Sequence, residues 1–261
     1  MAHWVRFEQG ARTGFGTLTD GMVAVHDGDM FDAPRATGET IPLAGLTLLT
    51  PTQPTKMIAL WNNLRALGQK LGVAAPDDPL YLLKGPNSFL AHGQPIKRPA
   101  AYAGKIVYEG ELGIVIGRRC SNVDDAGASQ AIFGYTCIND VTAADIIAKN
   151  PTFPQWARAK SFDTFGVFGP VVATGLDPMG LTIRTVLNGE ERQNYPVSDM
   201  YFPPVRLVSL LSRDMTLEPG DVIACGTSVG VGVMKDASNV IEVTIGGIGT
   251  LSNTFTQQTG A

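Results

Sequence analysis

From residue 105 to residue 117 the chain runs almost without polar interruption, apart from two glutamates, Glu109 and Glu111. The other residues from 106 to 116 are apolar or glycine, and Ile106, Val107, Ile114, Val115 and Ile116 are β-branched. Such a run reads as a buried strand. Side chains alternate across a strand with a period of two, so Glu109 and Glu111 face one side together with Val107, Gly113 and Val115. Two carboxylates held side by side in an apolar setting repel each other and lose hydration. Without a counter-charge, a buried carboxylate is strongly disfavoured or takes up a proton. A divalent cation meets that demand most simply; a half-exposed edge strand with solvated glutamates also meets it. The run by itself leaves both open.

The rest of the composition narrows the setting. A chain of 261 residues with 44% apolar and 17% charged side chains can bury a sizeable core rich in strand. The net charge is −4 and there is no basic run, which argues against a nucleic-acid partner. Cys120, Cys137 and Cys225 form no close pair and sit in or beside apolar runs, as small core residues of a reduced, cytoplasmic protein do. No apolar run reaches membrane-spanning length and the first residues lack a signal-peptide pattern, so no membrane partner is expected.

In chain order, residues 1–50 hold short alternating apolar pieces broken by Gly and Asp, a small β-rich N-terminal module ahead of a larger domain over 51–261. Pro51 and Pro54 bound a stiff connector. Residues 56–61 predict a strand, and 62–71 a short helix with Leu64, Leu67 and Leu71 on one face. Asn62 and Asn63 stand at its start. Lys84 closes the apolar strand 80–84 before a Gly-Pro turn, where a snorkelling surface lysine is the preferred reading. A second apolar run over 131–138 ends at Asn139-Asp140; Asp140 suits either a functional strand-end position or the N-cap of a helix over 142–149. Lys160 and Asp163 lie between aromatics. Asn188-Gly189 marks a hairpin, and a last hairpin turns at Gly246-Gly247. Residues 226–232 form a glycine-spaced loop without the lysine of a P-loop, either a backbone nest for a carboxylate or a merely tight turn. The segment 254–260 reads as a polar tail.

Four segments together resemble the fumarylacetoacetate hydrolase superfamily: Tyr-Glu-Gly-Glu-Leu at 108–112, Gly-Tyr-Thr-Cys-Ile-Asn-Asp-Val at 134–141, Lys-Ser-Phe-Asp-Thr-Phe at 160–165, and Pro-Gly-Asp-Val-Ile-Ala-Cys-Gly-Thr at 219–227. The resemblance implies a β-rich α+β fold, a mixed β-roll like the C-terminal domain of that family behind a small N-terminal module. It also implies a homodimer, a Mg²⁺ or Mn²⁺ cofactor, and a small diketo or oxo-(di)carboxylic acid substrate. Carried over residue by residue, it makes Glu109, Glu111 and Asp140 the metal ligands and Lys160 the active-site lysine; Asp163, three residues on, is expected to orient that lysine. It places Thr227, beside Gly226, against the substrate carboxylate.

The departures are as informative. Hydrolytic members of that family carry a His and a Glu in the segment matching 59–71, where they activate water; this chain has Asn63, Arg65 and Lys70 there, and its histidines are His3, His26 and His92. Amides and cations bind carboxylates but cannot take a proton near neutral pH. Arg65 and Asn63 are therefore expected to read a second anionic group on the substrate. Metal-assisted C–C hydrolysis of an acylpyruvate-type bond stands first among the reactions. Decarboxylation or isomerisation of an oxo-dicarboxylate through the same stabilised enolate is the alternative, followed by a metal-dependent binding protein without turnover.

Overall fold

The computed structural model describes residues 1–257. Its backbone is mainly strand, with short helices at the rim, as the α+β reading requires. The largest sheet runs in the order Asp32–Pro42, Met22–Asp29, Arg12–Thr19, Ala2–Gln9, Gly166–Thr174, Ile132–Asp140, Gly110–Ile116, Val222–Ala224, Met57–Trp61, Leu80–Lys84. The leading four strands are a meander, and the first of them pairs antiparallel with Gly166–Thr174, so the N-terminal segment continues the same sheet. The pairing of Val222–Ala224 with Met57–Trp61 is parallel, which makes the sheet mixed.

Central strands buried on both faces need apolar residues at every position. Gly110–Ile116 is buried throughout. Leu112, Ile114 and Ile116 join the main core on one face, while Val115 joins Met57, Ala59, Ile138, Phe168, Val222 and Ala224 on the other. Glu111 and Asp140 share this second face, because each lies two-residue multiples from Val115 and Ile138 along its own strand.

Residues 106–116 do not form one strand. Ile106–Tyr108 belongs to a separate three-stranded sheet with Thr142–Ala143 and Gly232–Val233, and the chain crosses into the large sheet at Glu109. The chain leaving Asp140 crosses the other way beside it, and the Asp140 amide donates to the Glu109 carbonyl at 2.8 Å. These twin crossings put Glu109, Glu111 and Asp140 at the seam between two sheets. Asp140 is no helix cap: Thr142–Ala143 is strand, and the helix expected over 142–149 shrinks to Ala144–Ile147.

A four-stranded sheet of two hairpins, Thr182–Leu187 with Glu190–Pro196 and Ser238–Ile245 with Gly249–Thr256, covers the seam. Asn188 and Gly189, with φ of 52° and 83°, form the turn of the first. Gly110 faces this sheet so closely that a Cβ on it would lie 1.9 Å from Thr185 Oγ1, so no larger residue fits between the two glutamates. The helix expected at 62–71 begins at Arg65 and ends at Leu71, because Asn62 takes a φ of 56° and Leu64 is still extended. The polar tail expected from 254 is strand as far as Thr256, and 258–260 lie outside the described residues. All three cysteines are buried and unpaired. Among the described residues no helix is long and apolar enough to cross a membrane.

Candidate active site

At the seam, Glu109, Glu111 and Asp140 each bring a carboxylate oxygen within 4.8 Å of the others. Two buried lysines converge on them, one at each carboxylate oxygen of Asp140. Lys160, at the end of the helix Trp156–Lys160, places Nζ 2.8 Å from Glu109 Oε2, 2.5 Å from Asp140 Oδ2 and 2.8 Å from Thr142 Oγ1. Lys84 Nζ donates to Asp140 Oδ1, and Lys84 is wholly buried. The preferred sequence reading of Lys84 as a surface lysine is therefore corrected. Its strand, the outermost of the large sheet, turns its last side chain inward across Met57, under the helix that carries Lys160.

Glu111 has the least compensation. Its Oε2 accepts from the Gly226 amide at 2.8 Å, but its Oε1 is buried without a partner. Burial first, then the charges of Asp140 and Glu109, push its carboxyl well above the usual range. Burial also raises Glu109, with Lys160 opposing. Burial pushes Asp140 upward, but the ammonium groups of Lys160 and Lys84 outweigh it and hold its carboxyl below its ordinary value. Burial alone would lower Lys160; the carboxylates of Asp140, Glu109 and Glu111 reverse this and raise it. Three carboxylates against two ammonium groups, with one buried carboxylate oxygen unpartnered, leave a place for a further cation. The donors are all hard oxygens, the set that suits Mg²⁺ or Mn²⁺.

Glu109 and Lys160 open into a cavity of about 170 Å³ lined also by Leu60, Trp61, Asn62, Leu67, Trp156, Thr227 and Val231. Thr227 is set by the glycine loop: Gly226 has a φ of 93°, which few other residues adopt, and its amide is tied to Glu111. Thr227 Oγ1 accepts from Gln193 Nε2 at 2.8 Å and donates to the Gly110 carbonyl at 3.1 Å. Gln193 Oε1 in turn accepts from the Gly110 amide at 3.0 Å, and Tyr195 Oη donates to the Gly110 carbonyl at 2.6 Å. The covering hairpin thus fixes the glutamate strand and the glycine loop together.

Of the residues expected at a site, Glu109, Glu111, Asp140 and Lys160 meet at the seam, with Gly226 and Thr227 beside them. Three others do not join them. Asp163 is exposed and accepts from Asn87 Nδ2 at 2.7 Å, so Lys160 is oriented by Glu109, Asp140 and Thr142 instead. Arg65 is exposed, donates to the Ser198 and Met200 carbonyls and lies 5.1 Å above the Tyr201 ring. Asn63 is buried, but its amide holds backbone: Nδ2 donates to the Cys225 carbonyl at 2.9 Å and Oδ1 accepts from the Phe202 amide at 2.9 Å. Lys70 is exposed. Sequence reasoning passed over Gln193, Trp61 and Trp156; the two tryptophans flank helix-prone segments and carried no motif.

Residues 56–256 match the family model described as fumarylacetoacetate (FAA) hydrolase, C-terminal. The chain belongs to the fumarylacetoacetate hydrolase family. Residues 2–51 match a second model, Rv2993c-like, N-terminal, which covers the leading meander. Among solved structures of the family, 5-carboxymethyl-2-hydroxymuconate delta-isomerase from Mycobacterium smegmatis is 38% identical, with a TM-score of 0.89 over 97% of this chain and 99% of that one. A fumarylacetoacetate hydrolase from Exiguobacterium antarcticum is 33% identical, with a TM-score of 0.83 over 99% and 100% of the two chains. Oxaloacetate tautomerase YisK from Bacillus subtilis is 36% identical over 78% of this chain and 70% of its own. Family members with this fold are thus named for isomerisation, tautomerisation and hydrolysis alike, and the residues at the seam must decide among them.

Proposed function

We propose that this protein is an enol–keto isomerase acting on a small 2-oxo acid. One observation carries the reading: the ionisable side chains lining the cavity are Glu109 and Lys160, and they are paired with each other. Hydrolytic members of the family activate water with a His and a Glu in the segment matching 59–71, and this chain has neither residue there. The three histidines lie elsewhere: His3 on the Gly247 carbonyl, His26 on the Ala24 carbonyl, and His92 accepting from the Ser252 amide. Lys160 Nζ, held by Glu109, Asp140 and Thr142, is the proton-bearing group that faces the cavity.

Isomerisation needs one acceptor and one donor close together, and the pair supplies both. Glu109 takes the enol hydroxyl proton, Lys160 Nζ delivers a proton to the adjacent carbon, and the new C–H bond and ketone complete the product. The proton on Glu109 then returns to Lys160 across their 2.8 Å hydrogen bond, restoring both groups. Asp140, held by Lys84, keeps Lys160 aimed at the cavity. A divalent cation held by Glu109, Glu111 and Asp140 would supply Lewis-acid stabilisation of the enolate oxygen, with Glu109 Oε2, the oxygen paired with Lys160, left to take the proton. Related proteins named as an oxaloacetate tautomerase and a muconate-type isomerase support this reading.

The test follows ultraviolet loss of the enol of several 2-oxo acids with Mg²⁺ or Mn²⁺ present, with products identified by mass. A single product of unchanged mass supports isomerisation. Two fragments that together contain one added water would establish hydrolysis instead.

A further inference from the structure

We propose that Gln193 is a positioning residue of the site: its side-chain amide aims the Thr227 hydroxyl, which then donates its hydrogen to a carboxylate oxygen of the bound 2-oxo acid. The inference rests on the reading of the cavity as a 2-oxo acid site and assigns the residue that prepares it.

Gln193 stands on the strand Glu190–Pro196, opposite Thr185 in the same hairpin, and is 2% exposed. It is bonded to Thr227, which lines the cavity, but does not line the cavity itself. The orientation of its amide is fixed from two sides. Oε1 accepts from the Gly110 amide at 3.0 Å, a group that can only donate, and Nε2 lies 3.2 Å from the Ser228 carbonyl, which can only accept. With that assignment, Nε2 donates to Thr227 Oγ1 at 2.8 Å.

A hydroxyl has one hydrogen to give and two lone pairs with which to receive. The Gln193 N–H occupies one lone pair, so the Thr227 hydrogen cannot point back at that amide, where two donors would meet. It points instead to the Gly110 carbonyl at 3.1 Å. That carbonyl is already held at 2.6 Å by Tyr195 Oη, two residues from Gln193 and on the same face of the strand. The Thr227 hydrogen is therefore the spare one of this network. Turning it toward a ligand in the cavity leaves both the amide and the carbonyl of Gly110 paired. A carboxylate oxygen, which only accepts, is the ligand group that this hydroxyl is set to meet. An oxygen in place of Nε2 would reverse the sense: Thr227 would donate to residue 193 and offer the cavity lone pairs alone.

The experiment measures oxalate binding by calorimetry with Mn²⁺ in excess. Oxalate presents the carboxylate and adjacent oxygen of a 2-oxo acid enolate and has no carbon to protonate. Gln193→Glu keeps the acceptor for the Gly110 amide and reverses the bond to Thr227, whereas Thr227→Val removes the hydroxyl. Each should weaken oxalate by about tenfold, as loss of a hydrogen bond to a charged group does. Adding Gln193→Glu to Thr227→Val should cost nothing further, because Gln193 acts through Thr227. In turnover each single variant should raise KM more than it lowers kcat, and Thr227→Ser, which keeps the hydroxyl, should match the parent. Gln193→Met, which is neutral, supplies the same cycle if Gln193→Glu does not fold. Losses that add in the double variant would mark a Gln193 that only supports the fold and would overturn the proposal. Unchanged affinity in either single variant, or no oxalate binding by the parent, would overturn it as well. Failure of the isomerase reading is distinct, since it shows as no enol loss on any acid by the parent protein.

Discussion

Asp140 gives one carboxylate oxygen to each of two buried lysines, Oδ1 to Lys84 and Oδ2 to Lys160. The two ammonium groups do different work. Lys160 lines the cavity, whereas Lys84 is sealed behind Asp140. Lys84→Met should destabilise the fold by about 3–5 kcal/mol, the usual result of stripping one partner from a buried ion pair. Lys160→Met should lower kcat by about 100-fold or more, as loss of a positioned proton donor does. Chemical denaturation and steady-state kinetics on the two variants separate these effects. A Lys84→Met protein as stable as the parent would show that Asp140 does not depend on it.

Glu111 predicts how the metal-free protein responds to pH. Its folded pKa is raised from 4.5, so the folded state holds that proton more tightly than the unfolded chain does. The stability of the metal-free protein therefore falls as pH rises above about 4.5, and the penalty is complete above the folded value. Glu111→Gln should remove the penalty, raising the metal-free Tm at neutral pH by about 2–4 °C, which corresponds to roughly 1 kcal/mol in a chain of this size. The same variant should lose the Tm increase that Mn²⁺ gives the parent. Differential scanning calorimetry with and without Mn²⁺ reads both.

Asp163 and Arg65 lie off the cavity, and alanine at either should leave kcat/KM close to the parent value. Asp163→Ala loses the bond from Asn87, which also donates to the Ser161 carbonyl, so its effect should fall on the Tm. A selective loss of dicarboxylate turnover in Arg65→Ala would restore the anion-reading role that the sequence suggests for it.

The acidic cluster was legible because strand alternation and a strand-end aspartate are local properties, and the four motifs led to the family. The break at Glu109 was not: a continuous apolar run looks the same whether it stays in one sheet or crosses between two. Lys84 was misread for a related reason. A lysine closing an apolar strand is ordinarily exposed, and its burial follows from Asp140, which comes 56 positions later in the chain. Arg65 sits at a helix start that the sequence places three residues early, and that offset, with the positive φ of Asn62, rotates the side chain away from the cavity. Trp61 and Trp156 meet by tertiary packing across 95 positions of sequence, which no periodicity announces.

His92 offers a pH prediction away from the acidic cluster. Burial lowers its pKa from 6.5, and its Nδ1 accepts from the Ser252 amide at 3.1 Å, which requires the unprotonated nitrogen. The folded state thus disfavours the proton, and the stabilisation present above pH 6.5 is lost as pH falls through the folded value. His92→Asn should be less stable than the parent at pH 7.5, and the gap in Tm should narrow toward pH 5. A gap independent of pH would mean that His92 does not titrate differently on folding.

The most direct test of the central claim is proton delivery itself. In D₂O with Mn²⁺ present, the enol of a 2-oxo acid that the protein turns over should yield intact ketone carrying one deuterium at C3, on one face, by proton NMR. Lys160→Met should abolish that stereospecific delivery while leaving the spontaneous, unselective exchange. Cleaved fragments, or equal delivery to both faces by the parent protein, would contradict the account.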